Sequence, residues 1–383
     1  MRAKNVMCGM LSCVLAVLGG LGDSKAAAQK PIRIAGIYAV TGAAAPSNEA
    51  SLHGARLAVQ ELNRSGGVLG KPLELVEIDN QSTPIGSKVA ADRAAGMGVA
   101  AILGSAWSSH SLAIARVAQK RSIPMVTNVS THADVTRVGD FIFRVCFIDS
   151  FQGRVMARFA HHDLNARSAV VMQDVSSDYS LGLADSFQRG FETHGGSILS
   201  MIDYKHHQER FDDLVLRARE ADPEIVFLPG HDESGAILRE AREAGLHRVF
   251  LGGDGWEAKS FFDRAGKALE NGYYCTHWTE EVGTQSSREF VSLYQQRYPQ
   301  KGPPLGAAAL AFDAVMLIAE SMERAGTTEP RAIQKALART RGFEGVTGSL
   351  SFDRFGDPIK EAVIMALSNG GVRYVKRVSP VDP

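Results

Sequence analysis

Two short hydroxyl clusters, Ser108-Ser109 and Ser130-Thr131, stand just past two apolar runs at 99–103 and 123–127. Each falls where the next helical segment should begin, and Ser and Thr are residues that cap helix starts. A helix start leaves backbone N–H groups unpaired and carries a partial positive charge. Two starts side by side therefore make a socket for a small anion. The expected guest is the carboxylate of an amino acid; plain helix capping is the competing reading of the same residues. Further on, Gly253-Asp254-Gly255 follows another apolar run and places one acidic side chain at the end of a strand. Asp also favours turns, so a turn residue is the competing reading there. A zwitterion is costly to enclose, because each unpaired buried charge is penalised. Asp254 would meet an ammonium group, and the hydroxyl and N–H clusters would meet a carboxylate without a buried Arg.

Catalytic arrangements are missing from the same residues. Ser, His and Asp are all present, but no G-x-S-x-G elbow follows a strand and no H-E-x-x-H occurs. His161-His162 and His206-His207 are adjacent pairs, which point to different faces and chelate poorly. Gly96-Met97-Gly98 lacks the strand-to-helix setting of a dinucleotide loop. A binding protein without metal or cofactor is expected, not an enzyme.

The elements that must position these residues alternate. Runs at 32–40, 73–79, 99–103 and 123–127 read as strands, with helices at 48–64, 85–97 and 109–121 between them. The first helix carries Leu52, Ala55, Val59 and Leu62 on one face and stops at Ser65-Gly66-Gly67, a glycine helix end. After a β-like run at 141–147 the alternation resumes. Helices at 150–164, 179–193, 210–220 and 233–244 alternate with strands at 168–173, 197–204, 224–229 and 248–251. A β-like run at 273–278, helices near 286–298, 305–325 and 330–340, and β-like runs at 347–352, 361–367 and 372–377 complete the chain. Strands separated by helices of this length imply βαβ units, so the fold class is α/β with two doubly wound lobes. Ligands in such sheets sit beyond the carboxyl ends of the strands. Ser108, Thr131, Asp174 to Tyr179, Gly230 to Glu233 and Gly253 to Gly255 all lie there. A ligand held by all of them would lie between the lobes.

The totals agree with an exported globular protein. The 383 residues are too many for one ordinary domain, and 45% hydrophobic with 22% charged content is that of a folded soluble chain. Lys+Arg and Asp+Glu are both 42, so no basic excess suggests nucleic acid. Residues 1–28 read as a signal peptide: Arg2 and Lys4, an apolar run from Val6 to Leu21, then Ala26-Ala27-Ala28 before Gln29, with cleavage after Ala28. Lipid anchoring would need Cys13, which has a poor approach in Met10-Leu11-Ser12. Cys8 and Cys13 leave with the leader, and Cys146 and Cys275 remain in a compartment that permits a disulfide.

Several segments together resemble the exported solute-binding proteins of the leucine/isoleucine/valine type that serve ABC importers. They are H-G-A-R-L-A-V-Q-E-L-N-R-S-G-G-V-L-G, W-S-S-H-S, S-T-H-A-D-V-T, G-D-F-I-F-R-V, F-Q-G-R-V-M-A, S-S-D-Y-S-L-G-L, E-A-R-E-A-G-L, L-G-G-D-G-W and F-E-G-V-T-G, in the family's order. The resemblance implies a type I periplasmic-binding fold, with two lobes joined by three crossings. Lobe 1 would be 30–147 and 278–351, and lobe 2 would be 148–277 and 352–383. It implies that Ser108 and Thr131, with Ser130 beside them, meet a ligand carboxylate. The carbonyl of Val129 and the side chain of Asp254 would hold an ammonium, and Tyr179 would close over the ligand from lobe 2. Asp254 is shorter than the family's Glu. The family's tyrosines give way to Ser47-Asn48 and to Gly230-His231, and Trp107 precedes the serines. Trp107, His231, Trp278 and Ser47 are weaker candidates to wall a rebuilt side-chain pocket. Cys146 and Cys275 each fall near a lobe crossing and would be able to tether hinge strands as a disulfide. The implied partner is the permease of an ABC importer, served by a periplasmic monomer that carries a branched-chain or related amino acid. Two other readings stay open: a receptor reporting to a membrane sensor, and a binder of amides, urea or aromatic acids on the same fold.

Overall fold

A computed structural model describes residues 29–368 and 371–380. The leader expected over 1–28 lies outside the described residues, as do the last three residues of the expected second lobe.

The first sheet is built from β1 (Ile32–Tyr38), β2 (Leu73–Asp79), β3 (Ala101–Leu103), β4 (Met125–Thr127) and β5 (Ile142–Arg144), all parallel, in the order β2-β1-β3-β4-β5. The second contains β6 (Ser168–Asp174), β7 (Ser197–Tyr204), β8 (Ile225–Phe227), β9 (Val249–Gly252) and β10 (Gly272–Thr276). Their order, β7-β6-β8-β9-β10, repeats the winding of the first sheet. A small third sheet is formed by β11 (Phe343–Gly345), β12 (Gly348–Phe352) and β13 (Pro358–Ile359). Finally, β14 (Ala362–Ser368) and β15 (Gly371–Val378) extend the second sheet beyond β10 as antiparallel strands.

The central strands are short and apolar on both faces because helices cover both sides, as parallel sheets require. In the first lobe, helices Ala45–Arg64 and Gly306–Ala325 cross closely. Gly54 makes that possible: a Cβ there would lie 1.9 Å from the carbonyl oxygen of Ala308. The chain leaves the first lobe after β5, returns after β10 and crosses again between β13 and β14.

The structure moves one expected boundary. Residues 352–359 pair and pack with the first lobe: Phe352 belongs to its core and Asp357 pairs with Arg137 and Arg144. The second lobe's last segment begins with β14, not at 352. At this third crossing Lys360 is buried and donates from Nζ to the Val145 carbonyl (3.2 Å) and to Thr347 Oγ1 (2.6 Å). Burial lowers its amine to about 8.

The pairing offered for the two cysteines is also corrected. Cys146 and Cys275 are free and buried. Cys146 packs in the first lobe's core, with Sγ 3.4 Å from the Ser130 carbonyl, while Cys275 packs among second-lobe aromatics and aliphatics. Burial pushes both thiols up, Cys146 to about 12. Thiol titration of the mature chain should find no fast-reacting thiol in the native protein and two after denaturation without reductant. Gly54→Ala should cost about 1–3 kcal/mol in denaturant unfolding, because the helix crossing must open to admit a methyl group.

Candidate functional site

The ends of strands β1, β3 and β4 face the ends of β6, β8 and β9 across a cleft. The space between them, partly open to solvent, is lined by seven of the ten residues singled out from the sequence. From the first lobe come Ser47, Trp107, Ser108 and Val129; from the second come Tyr179, His231 and Asp254. Both lobes contribute at the point where their strand order reverses, between β1 and β3 and between β6 and β8. That is where open sheets leave a crevice.

On the first wall, Ser108 opens helix Ser108–Arg121, which has no side-chain cap. Its first-turn N–H groups are therefore left without an intrahelical partner beside the cavity. Ser108 Oγ accepts from the His132 N–H at 3.2 Å. Gly104 carries the chain from β3 toward this helix at φ +110°, where a Cβ would lie 2.3 Å from the Ile37 carbonyl oxygen, so only glycine fits.

Ser130 and Thr131 are placed differently from the expectation, and neither lines the cavity. The Ser130 hydroxyl turns inward and is shared among the Ser105 and Ala106 carbonyls and Ser111 Oγ, pinning the two loops together. The helix expected after it is only the four-residue turn Asp134–Arg137, so the second hydroxyl cluster opens no long helix at the cleft. Thr131 Oγ1 is buried and makes no well-formed hydrogen bond, like both oxygens of Asp149. Burial drives the Asp149 carboxyl well above the usual range; the Thr131 hydroxyl opposes this and the charge of Asp254 adds to it.

On the second wall, Asp254 sits in the turn after β9 with its side chain 8% exposed. Gln152 donates from Nε2 to Oδ1 at 2.9 Å and accepts the Asp254 backbone N–H at 2.7 Å, so one amide fixes both side chain and turn. His277 Nε2 lies 3.0 Å from Oδ2. Burial works to raise the Asp254 carboxyl, but the bonds from His277 and Gln152 outweigh it and hold the group below its ordinary value. Burial holds the His277 ring below the usual histidine range in spite of the hydrogen bond to Asp254 and its charge. Its face packs 3.7 Å from the Phe147 ring. The result is a buried carboxylate held in its charged form by Gln152 and His277.

Aromatic rings close the cleft between these walls. The His231 ring lies 4.6 Å from Trp107 in the opposite lobe and 4.8 Å from Tyr179. Trp107 Nε1–H donates to Ser47 Oγ at 3.2 Å, and the Tyr179 hydroxyl accepts the Gly255 N–H at 3.0 Å.

Trp278 does not wall the cavity. It is buried in a first-lobe cluster with Phe290 and Tyr294 and donates to Ser287 Oγ. Its neighbour His277 faces the cleft instead, at the bend just past the end of β10. Glu257 was also missed by sequence reasoning. It lines the cavity three residues after Asp254, accepts from Thr276 Oγ1 at 2.5 Å, and accepts the Gly306 N–H at 2.7 Å. The only signal for it was position: a second acid in the same strand-end turn, G-G-D-G-W-E.

Comparison with known proteins now decides the family. The periplasmic binding protein family model matches residues 31–371. The chain belongs to the periplasmic binding proteins. A Pseudomonas aeruginosa relative named leucine-, isoleucine-, valine-, threonine-, and alanine-binding protein is 28% identical over 350 residues, 91% of this chain and 92% of the relative. The crystal structure of a leucine binding protein, LivK, from Thermotoga maritima is 33% identical with TM-score 0.87, covering 91% of this chain and 99% of that one. A branched-chain amino acid transporter substrate binding protein, LivJ, from Streptococcus pneumoniae in complex with isoleucine is 30% identical with TM-score 0.86 and the same coverage. The type I periplasmic-binding fold and a solute-binding role are thereby established for this chain.

Burial carries the Glu257 carboxyl from its ordinary 4.5 up to about 7, with Thr276 and the Gly306 N–H opposing. The folded chain thus keeps a proton that the unfolded chain releases between those values. This contribution to stability is complete below about 4.5 and is lost as pH rises through about 7. Urea unfolding on either side of that window should show the loss, and Glu257→Gln should remove that component.

Proposed function

We propose that this protein is an exported receptor that captures a free amino acid between its lobes and delivers it to an ABC importer in the membrane. The observation that carries this reading is the opposed pair of walls. An ionised Asp254 stands on one side of the cleft and the uncapped start of helix Ser108–Arg121 stands on the other. The first matches an ammonium group and the second a carboxylate. Ser108 and the helix N–H groups hold the carboxylate, with Ser130 and Thr131 beneath them supporting the loop. Asp254 and the Val129 carbonyl hold the ammonium, and Tyr179 and His231 cover the ligand from the second lobe. Trp107, held by Ser47, borders the side-chain end.

The names of the relatives support this choice, since they bind leucine, isoleucine, valine, threonine or alanine. The short positive start, apolar run and A-x-A site of residues 1–28 support export to the periplasm, and the permease is the partner that the family's role calls for. Lobe closure around the guest excludes water and strengthens both charge contacts.

A thermal-shift screen of the mature chain against the natural amino acids tests the reading, since a ligand that binds only the folded form raises Tm. At least one amino acid should do so. A response only to amides, urea or aromatic acids would replace the amino-acid reading with another cargo on the same fold. With the best ligand in hand, Asp254→Ala should weaken binding by about 3–5 kcal/mol, hundreds-fold or more in Kd by calorimetry. A change under about threefold would remove Asp254 from the site.

A further inference from the structure

Resting on the amino-acid reading above, we propose that Glu257 selects ligands whose side chain carries a hydrogen-bond donor: a hydroxyl, amide or ammonium group. The residue lines the same cavity as Asp254, and its carboxyl is fixed from both sides of the cleft. One oxygen takes the Thr276 hydroxyl of the second lobe, and the other takes the Gly306 N–H that opens a first-lobe helix. A carboxylate offers about four acceptor positions. Two protein donors leave the remainder without a protein partner, on a side chain that lines the ligand space.

Nothing among the described cavity-lining residues balances a second acid. No Lys or Arg lines the space, and the donors from Gln152 and His277 are spent on Asp254. A guest's ammonium group satisfies Asp254, which leaves the ligand's side chain as the group that reaches Glu257. The apolar lining points the same way. Its aliphatic side chains are Ala106, Val129, Ala258 and Ala307, with no Leu, Ile or Met to embrace a branched hydrocarbon. The polar edges of Trp107 and Tyr179 are already tied to protein groups at Ser47 and Gly255, and the His231 ring packs against both.

Matched pairs of near-equal shape isolate the effect: L-threonine against L-valine, and L-asparagine against L-leucine, titrated calorimetrically into the mature chain. A site that hydrogen-bonds a polar group rejects the isostere that lacks it, because its own polar group is left unpaired. The polar member of at least one pair should bind tenfold or more tighter than its partner. Glu257→Met should bring that ratio close to one. Glu257→Gln, which keeps the shape, should lower it at least threefold and serves if the methionine variant does not fold. If Glu257 only caps the helix, both members of a pair weaken together and the ratio stays unchanged, which overturns the inference. Tighter binding of valine and leucine by the wild-type chain also overturns it, while leaving the amino-acid receptor intact. Binding of no amino acid at all would overturn the receptor reading and this inference with it.

Discussion

An ionised carboxylate inside a protein is tolerable only where donors are already aimed at it. Asp254 and Asp149 show both outcomes within one neighbourhood. Asp254 receives Gln152 and His277 and stays below its ordinary value. Asp149 is also buried, makes no well-formed hydrogen bond, and is driven well above the usual range. Each donor to Asp254 has its own support. Gln152 stands on the helix that begins the second lobe, and His277 is wedged against Phe147 at the edge of the second crossing. The charge that faces the cleft is thus held by the segments that connect the lobes.

The doubly wound topology explains why so many separate loops meet there. In each lobe the strand order reverses beside its first strand, leaving a gap at the carboxyl edge where two loops diverge. Two such edges face each other. The first supplies a helix start, with its unpaired N–H groups and positive end; the second supplies acids. The polarity of the cleft follows from which element ends at each edge, and no Lys or Arg among the described residues lines it.

Much of this was readable from residue order. The strand-helix alternation, both lobes and the strand-end positions of Ser108, Tyr179 and Asp254 follow from periodicity and turn chemistry. What was not readable depended on direction. Ser130 sits at the right strand end, but its hydroxyl is consumed by the carbonyls of the neighbouring loop. Trp278 was expected to wall the pocket, yet the adjacent His277 lines the cleft, because the chain bends there just past the end of β10. Glu257 lay hidden as an ordinary polar turn residue because its partners, Thr276 and Gly306, are distant in sequence. The extent of the third crossing was misjudged because β13 is two residues long and has no pattern of its own.

Lys360 has a mechanical consequence. Its amine joins the strand that leaves the first lobe, at Val145, to the last connecting strand and to the loop at Thr347. Two of the three connections are thereby stapled into a single ribbon near the first lobe. Rotation of the halves cannot be spread evenly along three independent strips of backbone. The flexing must fall beyond the staple, toward the second lobe, which gives the molecule a short, directional fulcrum and narrows the paths along which the jaws can part.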